Sequence, residues 1–242
     1  MSVPERIVPD ETEPGIVALH AKRYEFALPL CAGKDVLDAG CGVGYGSAIL
    51  AAAARRVVGI DRSDAAIAYA RRRYSRPNVE FAVDDLLELG RPDGSFDVVC
   101  AFEAIEHLAD PEAHLAHVRR VLRADGVYIA STPRVERTTT TPENPHHRVE
   151  FSKDDLQGLL SRHFAKVELY GQRRTQTRRH RLLQRLDILG LRRRLPFLRK
   201  VGRPLLGTAA TADVASEGIV ISREGIEQAN ELVAVCRSPR RA

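Results

Sequence analysis

Glu103, Glu106 and His107 stand together in the stretch AFEAIEHL, directly after an apolar run. On one helical turn, positions i, i+3 and i+4 are neighbours, so two carboxylates and an imidazole would share one side. Such a group can hold a hard divalent cation, Mg²⁺ or Mn²⁺ rather than a structural zinc, with a further ligand from His146 or His147 in NPHHRVEFS. Two metal-free readings stand beside it: His107 as a general base, or a cluster that only shapes the chain. A second constellation is VLDAGCGVGYGSAIL, where Asp38 precedes Gly40, Gly42 and Gly44. Glycines at the carboxyl end of a strand let a ligand approach the main chain. The dinucleotide fingerprint G-x-G-x-x-G would need glycine at position 45 or 47, which are Tyr45 and Ser47. Asp38 would repel a pyrophosphate but suits a cationic ligand, and Cys41 reads as a small loop residue rather than a nucleophile.

The elements that must carry these residues follow from hydrophobic periodicity. Apolar runs at DVLDA, RVVGI, VEFAV, FDVVCAF, GVYIAST, KVELY and ELVAVCR alternate, up to residue 171, with segments of helical spacing. That alternation predicts an α/β architecture whose parallel sheet is covered on both faces. Ser63, Asp110 with Pro111, and Ser152 with Asp155 supply helix starts. Residues 10–30 predict an amphipathic helix ahead of the sheet, from which His20, Arg23 and Tyr24 could help close a ligand site. His114 and His117 predict a solvated helix face. The proline-punctuated segment 133–150 is long for a connection, as active-site covers are.

In order and spacing these motifs resemble the class I S-adenosylmethionine-dependent methyltransferases, whose first motif is D-x-G-x-G-x-G, here Asp38, Gly40, Gly42 and Gly44. The resemblance runs to about residue 171 and resumes at 231. It implies a Rossmann-like, doubly wound seven-stranded sheet with the last strand antiparallel. It also implies S-adenosylmethionine as cofactor, with Asp38 and the glycine loop including Cys41 at the methionine part. Asp61 would hold the ribose hydroxyls and Asp85 the adenine amino group, with Asp84 a one-position alternative; Arg62, Leu86 and Phe102 would complete the donor site. The pattern E-x-x-E-H followed by H-x-x-E-[aromatic]-[Ser/Thr] is similar to that of ubiquinone-biosynthesis O-methyltransferases in its first half and of small-RNA 2′-O-methyltransferases in both. By that resemblance Glu103, Glu106, His107 and His147 would ligate Mg²⁺ or Mn²⁺.

Charge is unevenly distributed along the chain. Residues 172–203 hold eleven arginines and one lysine against the single acid Asp187, so the remainder is acidic beneath a total of +5. Leucines spaced between these arginines predict two basic amphipathic helices, an insertion over 172–217. The expected organisation is therefore a helical N-terminal cover over 1–34, a methyltransferase domain over 35–171 and 218–242, and the insertion. Its basic face suits an anionic membrane surface, a partner subunit as in a homodimer, or nucleic acid; Phe197 as its single aromatic counts against single-stranded RNA. Scattered cysteines, no membrane-length apolar run and no signal-peptide pattern predict a reduced, cytoplasmic protein at most peripheral to a membrane. The leading expectation is O-methylation of a hydroxyl on a small molecule, sugar or glycoconjugate, with His107 as base or metal ligand. Metal-dependent RNA 2′-O-methylation and a non-catalytic binding protein of this fold are the alternatives.

Overall fold

A computed structural model describes residues 6–174 and 218–240. In chain order the described elements are α1 (Pro14–Cys31), β1 (Asp35–Ala39), α2 (Tyr45–Leu50), β2 (Arg56–Asp61), α3 (Asp64–Tyr74) and β3 (Val79–Val83). There follow β4 (Phe96–Phe102), α4 (Pro111–Val121), β5 (Leu122–Val135), β6 (Phe151–Ser152), α5 (Lys153–His163), β7 (Phe164–Arg174), β8 (Ile219–Ser222) and β9 (Glu231–Pro239).

The sheet order is β3-β2-β1-β4-β5-β9-β7-β8, with the two-residue β6 pairing β5. β1 pairs in parallel with β2 on one side and β4 on the other, so chain order reverses at β1 and a crevice opens beyond its carboxyl end. β9 runs antiparallel between β5 and β7. The expected doubly wound sheet is present, and nine described strands replace the expected seven. Two short additions account for the difference: β6, and β8, which extends the sheet by pairing antiparallel with Gly171–Arg174. Because β7 continues to Arg174, residues 172–174 belong to the sheet, and the rest of the basic segment lies outside the described residues.

Strand alternation sorts the core into two layers. Leu37, Val58 and Val99 face one side with Leu115 and Val118 of α4 and Leu156 and Leu160 of α5. Their chain neighbours Val36, Val57 and Val98 face the other side with Ala27 and Cys31 of α1 and Leu50 of α2. Three predicted caps form: Ser63 Oγ accepts from Ala66 N, Asp110 Oδ1 from Ala113 N and Ser152 Oγ from Asp155 N. The N-terminal helix begins at Pro14 rather than at residue 10, and buries Ala18, Arg23, Tyr24, Ala27 and Cys31. No helix among the described residues is long and apolar enough to cross a membrane.

Candidate functional site

Parallel strands deliver their carboxyl ends to one edge, and there a cavity of about 510 Å³ opens. Its floor is the glycine loop. Gly40 N and Cys41 N both donate to Ile60 O at 2.8 Å, which pins the loop to β2. Gly42 N donates to Asp61 Oδ2 at 3.0 Å, and Ser63 N donates to Asp61 Oδ1 at 2.9 Å. Asp61 is thereby oriented by two backbone donors, and Arg6, from the N-terminal segment, stands 3.4 Å from Oδ1. Gly40, Cys41, Gly42, Asp61 and Arg62 line the cavity at this end, and Asp85, Leu86 and Phe102 line its wall.

Three expected donor residues do not line it. Asp38 is fully buried, accepting from Ser47 Oγ at 2.6 Å and Tyr24 Oη at 3.4 Å. Loss of hydration, with the charge of Asp61 adding, pushes its carboxyl up to about 7, against the pull of those two hydrogen bonds. It acts on the cavity by holding the start of α2 and the ring of Tyr24. Gly44 has φ +87°, and a Cβ there would stand 2.7 Å from both Ala70 and Phe81. The loop thus needs glycine at 44 for its backbone and for α3 packing rather than for ligand access. Asp84 accepts from Asp85 N, Gly90 N and Arg91 Nε in the turn after β3, so its carboxylate is already engaged.

Of the residues after β4, Glu103 and His107 line the cavity and Glu106 does not. Glu103 adopts φ +50°, uncommon for a residue with a side chain. Ser131 Oγ donates to its carboxylate at 2.7 Å, and Arg23 Nη1 lies at 3.3 Å. Arg23, 2% exposed, also donates to Gln172 Oε1 at 2.6 Å and approaches Glu231 at 3.6 Å, so α1 is tied to β7, β9 and the residue after β4 through one guanidinium. Ile105–His107 form a 3₁₀ turn that buries Glu106 completely. Neither carboxylate oxygen of Glu106 has a hydrogen-bond partner, and burial first, then the charge of Glu103, holds this acid well above the usual carboxylate range. His107 lines the cavity, with Nδ1 2.9 Å from His146 O; a carbonyl only accepts, so Nδ1 carries the proton and Nε2 the lone pair.

Of the four expected metal ligands the fold gathers three: one ligand atom each from Glu106, His107 and His147 lie within 4.8 Å of one another. Glu103 is not among them, because its left-handed backbone turns it to Ser131 and Arg23. The donor set fits a cation chemically. His147 Nδ1 is 2.7 Å from Glu150 Oε1 and its Nε2 is 3.1 Å from Asn144 Nδ2, so a cation would compete with one of these contacts. The unpartnered Glu106 would supply negative charge once a cation took the place of its proton. Glu106 and His147 do not line the cavity.

His114 corrects another expectation. It is fully buried rather than solvated, with Nδ1 3.1 Å from Leu86 O and Nε2 3.3 Å from Tyr128 Oη, and burial pushes it down to about 4. His20 and Tyr24 line the cavity as expected of the N-terminal helix. Sequence reasoning missed Arg6, Leu108, Ala109 and Arg148, which also line it; in isolation each looks like an ordinary surface or loop residue.

The description "methyltransferase domain" belongs to the family model that matches residues 37–130, from β1 through most of β5. Residues 37–130 thus resemble a methyltransferase domain. A protein of Mycobacterium tuberculosis named "probable S-adenosylmethionine-dependent methyltransferase" is 41% identical over 162 residues, covering 64% of this chain. The chain spans 58% of that relative's length. The ubiquinone biosynthesis O-methyltransferase of Aromatoleum aromaticum is 38% identical over 104 residues, 42% of this chain and 44% of its own. Among solved structures, the N-methyltransferase NodS of Bradyrhizobium japonicum, in complex with S-adenosylhomocysteine, superposes with a TM-score of 0.61. It shares 18% identity and covers 95% of this chain and 90% of its own, which shows a common fold. The matched residues contain the glycine loop, Asp61, Asp85 and His107, while the segment bearing His147 and Arg148 lies beyond them.

Proposed function

We propose that the protein is an S-adenosylmethionine-dependent methyltransferase acting on a hydroxyl of a small molecule, sugar or glycoconjugate. One observation carries this reading: a single cavity has Asp61, Asp85 and the glycine loop at one end and a histidine with a free lone pair at the other. The curated relatives support the donor, and the position of His107 supports a hydroxyl acceptor.

When bound, the donor supplies an electrophilic methyl on a sulfonium. Asp61, held by Gly42 N and Ser63 N, accepts from the two ribose hydroxyls, and Asp85 receives the adenine amino group. Glu103, part-buried in the cavity wall, places an acid near the cationic end of the ligand. Methyl transfer is an in-line displacement, so alignment is the main requirement. In such a transfer His107 Nε2 would take the hydroxyl proton as the acceptor oxygen gains the methyl group from sulfur, and the carbonyl of His146 would steady the resulting imidazolium through Nδ1–H. The test is calorimetry with S-adenosylhomocysteine, then a product-mass screen over catechols, sugars and RNA ends. Absence of binding overturns the donor assignment, and methylation confined to nitrogen acceptors overturns the hydroxyl.

A second reading rests on Glu106, whose two buried oxygens lack partners. Glu106, His107 and His147 would hold Mg²⁺ or Mn²⁺, which would offset the buried charge and polarise an acceptor oxygen beside His107. Turnover that survives EDTA unchanged excludes it. The surplus of arginine in 172–203 supports contact with an anionic membrane surface, and equal pelleting with phosphatidylserine vesicles of the full chain and a chain lacking 175–217 overturns that contact.

A further inference from the structure

Beside the donor cavity lies a second one of about 380 Å³, between the start of α4, residues 138–140, β6 and α5. The two share Leu108, Ala109 and Arg148, so an occupant of the second abuts the reacting end of the first. Its surface is largely apolar: Pro111, Val149, Phe151 and Leu159 join Leu108 and Ala109. The polar groups on its rim are already engaged with one another, Arg162 with Glu112 and Thr138 with Asp155. Arg148 differs. It is exposed where the cavities meet, and no carboxylate pairs with its guanidinium among the described residues, whereas Arg6 in the donor cavity is paired with Asp61. The wall of the groove is also tied to the reacting turn, since Arg148 N and Val149 N donate to Glu106 O at 2.7 and 3.2 Å.

We propose that this groove receives the apolar tail of an amphipathic acceptor whose anionic group, a phosphate or a carboxylate, is held by Arg148 at the junction with the methyl-donor cavity. The inference rests on the donor reading above and narrows its acceptor. An alkyl or prenyl chain lying on Phe151, Leu159 and Val149 would leave water, the anion would meet the one arginine at the junction without a carboxylate, and the head group would be presented to His107 Nε2. Neither part suffices alone: the apolar surface gives affinity without register, and Arg148 fixes which end faces the donor.

The experiment uses the full chain saturated with S-adenosylhomocysteine and measures binding of hexyl, octyl and decyl phosphates by calorimetry below their micelle concentrations. Decanoate and decanol serve as the other arms. Affinity should rise about three- to fourfold per methylene, the increment of burying one CH₂. Arg148→Ala should weaken decyl phosphate, decanoate or both about tenfold and leave decanol unchanged, and the anion more affected identifies the head-group charge. Thr140→Trp, filling the groove from its exposed edge, should weaken all three decyl probes, with S-adenosylhomocysteine binding as the readout that the fold survives. An affinity independent of chain length, or equal losses for decanol and both anions in Arg148→Ala, overturns the groove while intact S-adenosylhomocysteine binding preserves the donor reading. Failure to bind S-adenosylhomocysteine overturns both.

Discussion

The two ends of the cavity are built differently. At the donor end, the backbone donors and acid oxygens largely satisfy one another: Gly40 and Cys41 bond Ile60, Gly42 and Ser63 bond Asp61, and Ser47 and Tyr24 bond Asp38. At the acceptor end, Glu106 is buried without a partner, Glu103 has a left-handed backbone, and Arg148 stands at the surface with no paired carboxylate among the described residues. A pre-organised end suits a ligand that is the same in every turnover. Groups left unsatisfied in the protein alone suit an end whose partner arrives with the acceptor, and such local costs concentrate at functional sites.

The largest effect that would break this division comes from His107. His107→Ala should lower turnover by about 10²–10⁴-fold while S-adenosylhomocysteine affinity stays within twofold; a comparable loss of affinity would show that the two ends do not act separately. Asp61→Ala should reverse the pattern, costing donor affinity about two to three orders of magnitude by calorimetry, since two charge-assisted hydrogen bonds are lost.

Next in size is Gly44→Ala, which places a Cβ 2.7 Å from Ala70 and Phe81 at φ +87°. It should destabilise the fold by about 2–4 kcal/mol, read as a lower melting temperature. Well below that temperature the donor should still bind, because Gly44 does not line the cavity.

The pH dependence then sharpens the contrast within the donor end. Asp38 is raised to about 7, so the folded state holds a proton that the unfolded chain releases near pH 4. Its contribution to stability is full below pH 4 and declines as pH rises to about 7, with a slope of at most about 1.4 kcal/mol per pH unit. Asp38→Asn should remove that decline: the gap in unfolding free energy between variant and parent should move in the variant's favour from pH 4 to 7 and then level off. His114, lowered to about 4, has the opposite sign, stabilising above its ordinary value near 6.5 and losing that contribution as pH falls to 4. A gap for Asp38→Asn that stays constant with pH would place a charged Asp38 in the folded protein.

The smallest effect separates neighbours. Asp85→Ala should weaken S-adenosylhomocysteine about tenfold, the share of one hydrogen bond to a charged group. Asp84→Ala should leave that affinity within twofold and cost up to about 1 kcal/mol of stability through its pair with Arg91. Equal losses would return Asp84 to the donor site.

Local chemistry determined much of this molecule. Strand periodicity, three helix caps, the glycine loop and the acid closing β2 all depend on short stretches of chain, where turn geometry and alternation are encoded by neighbouring residues. The same holds for the proximity of Glu106 and His107, which share one turn. The tertiary structure decided what depends on residues far apart. The spacing of Glu103, Glu106 and His107 suggested one helical face, but the packing of α1 brought Arg23 beside Glu103, while Glu106 came within reach of His107 and His147. His114 lies on a helix of mixed charge, and only the approach of Tyr128 and Leu86 O made it a buried, neutral residue. Arg6 over Asp61, and a groove joined to the donor cavity at Arg148, likewise come from segments separated by tens of residues. Burial and the field of distant charges are properties of the assembled core, and no local pattern carries them.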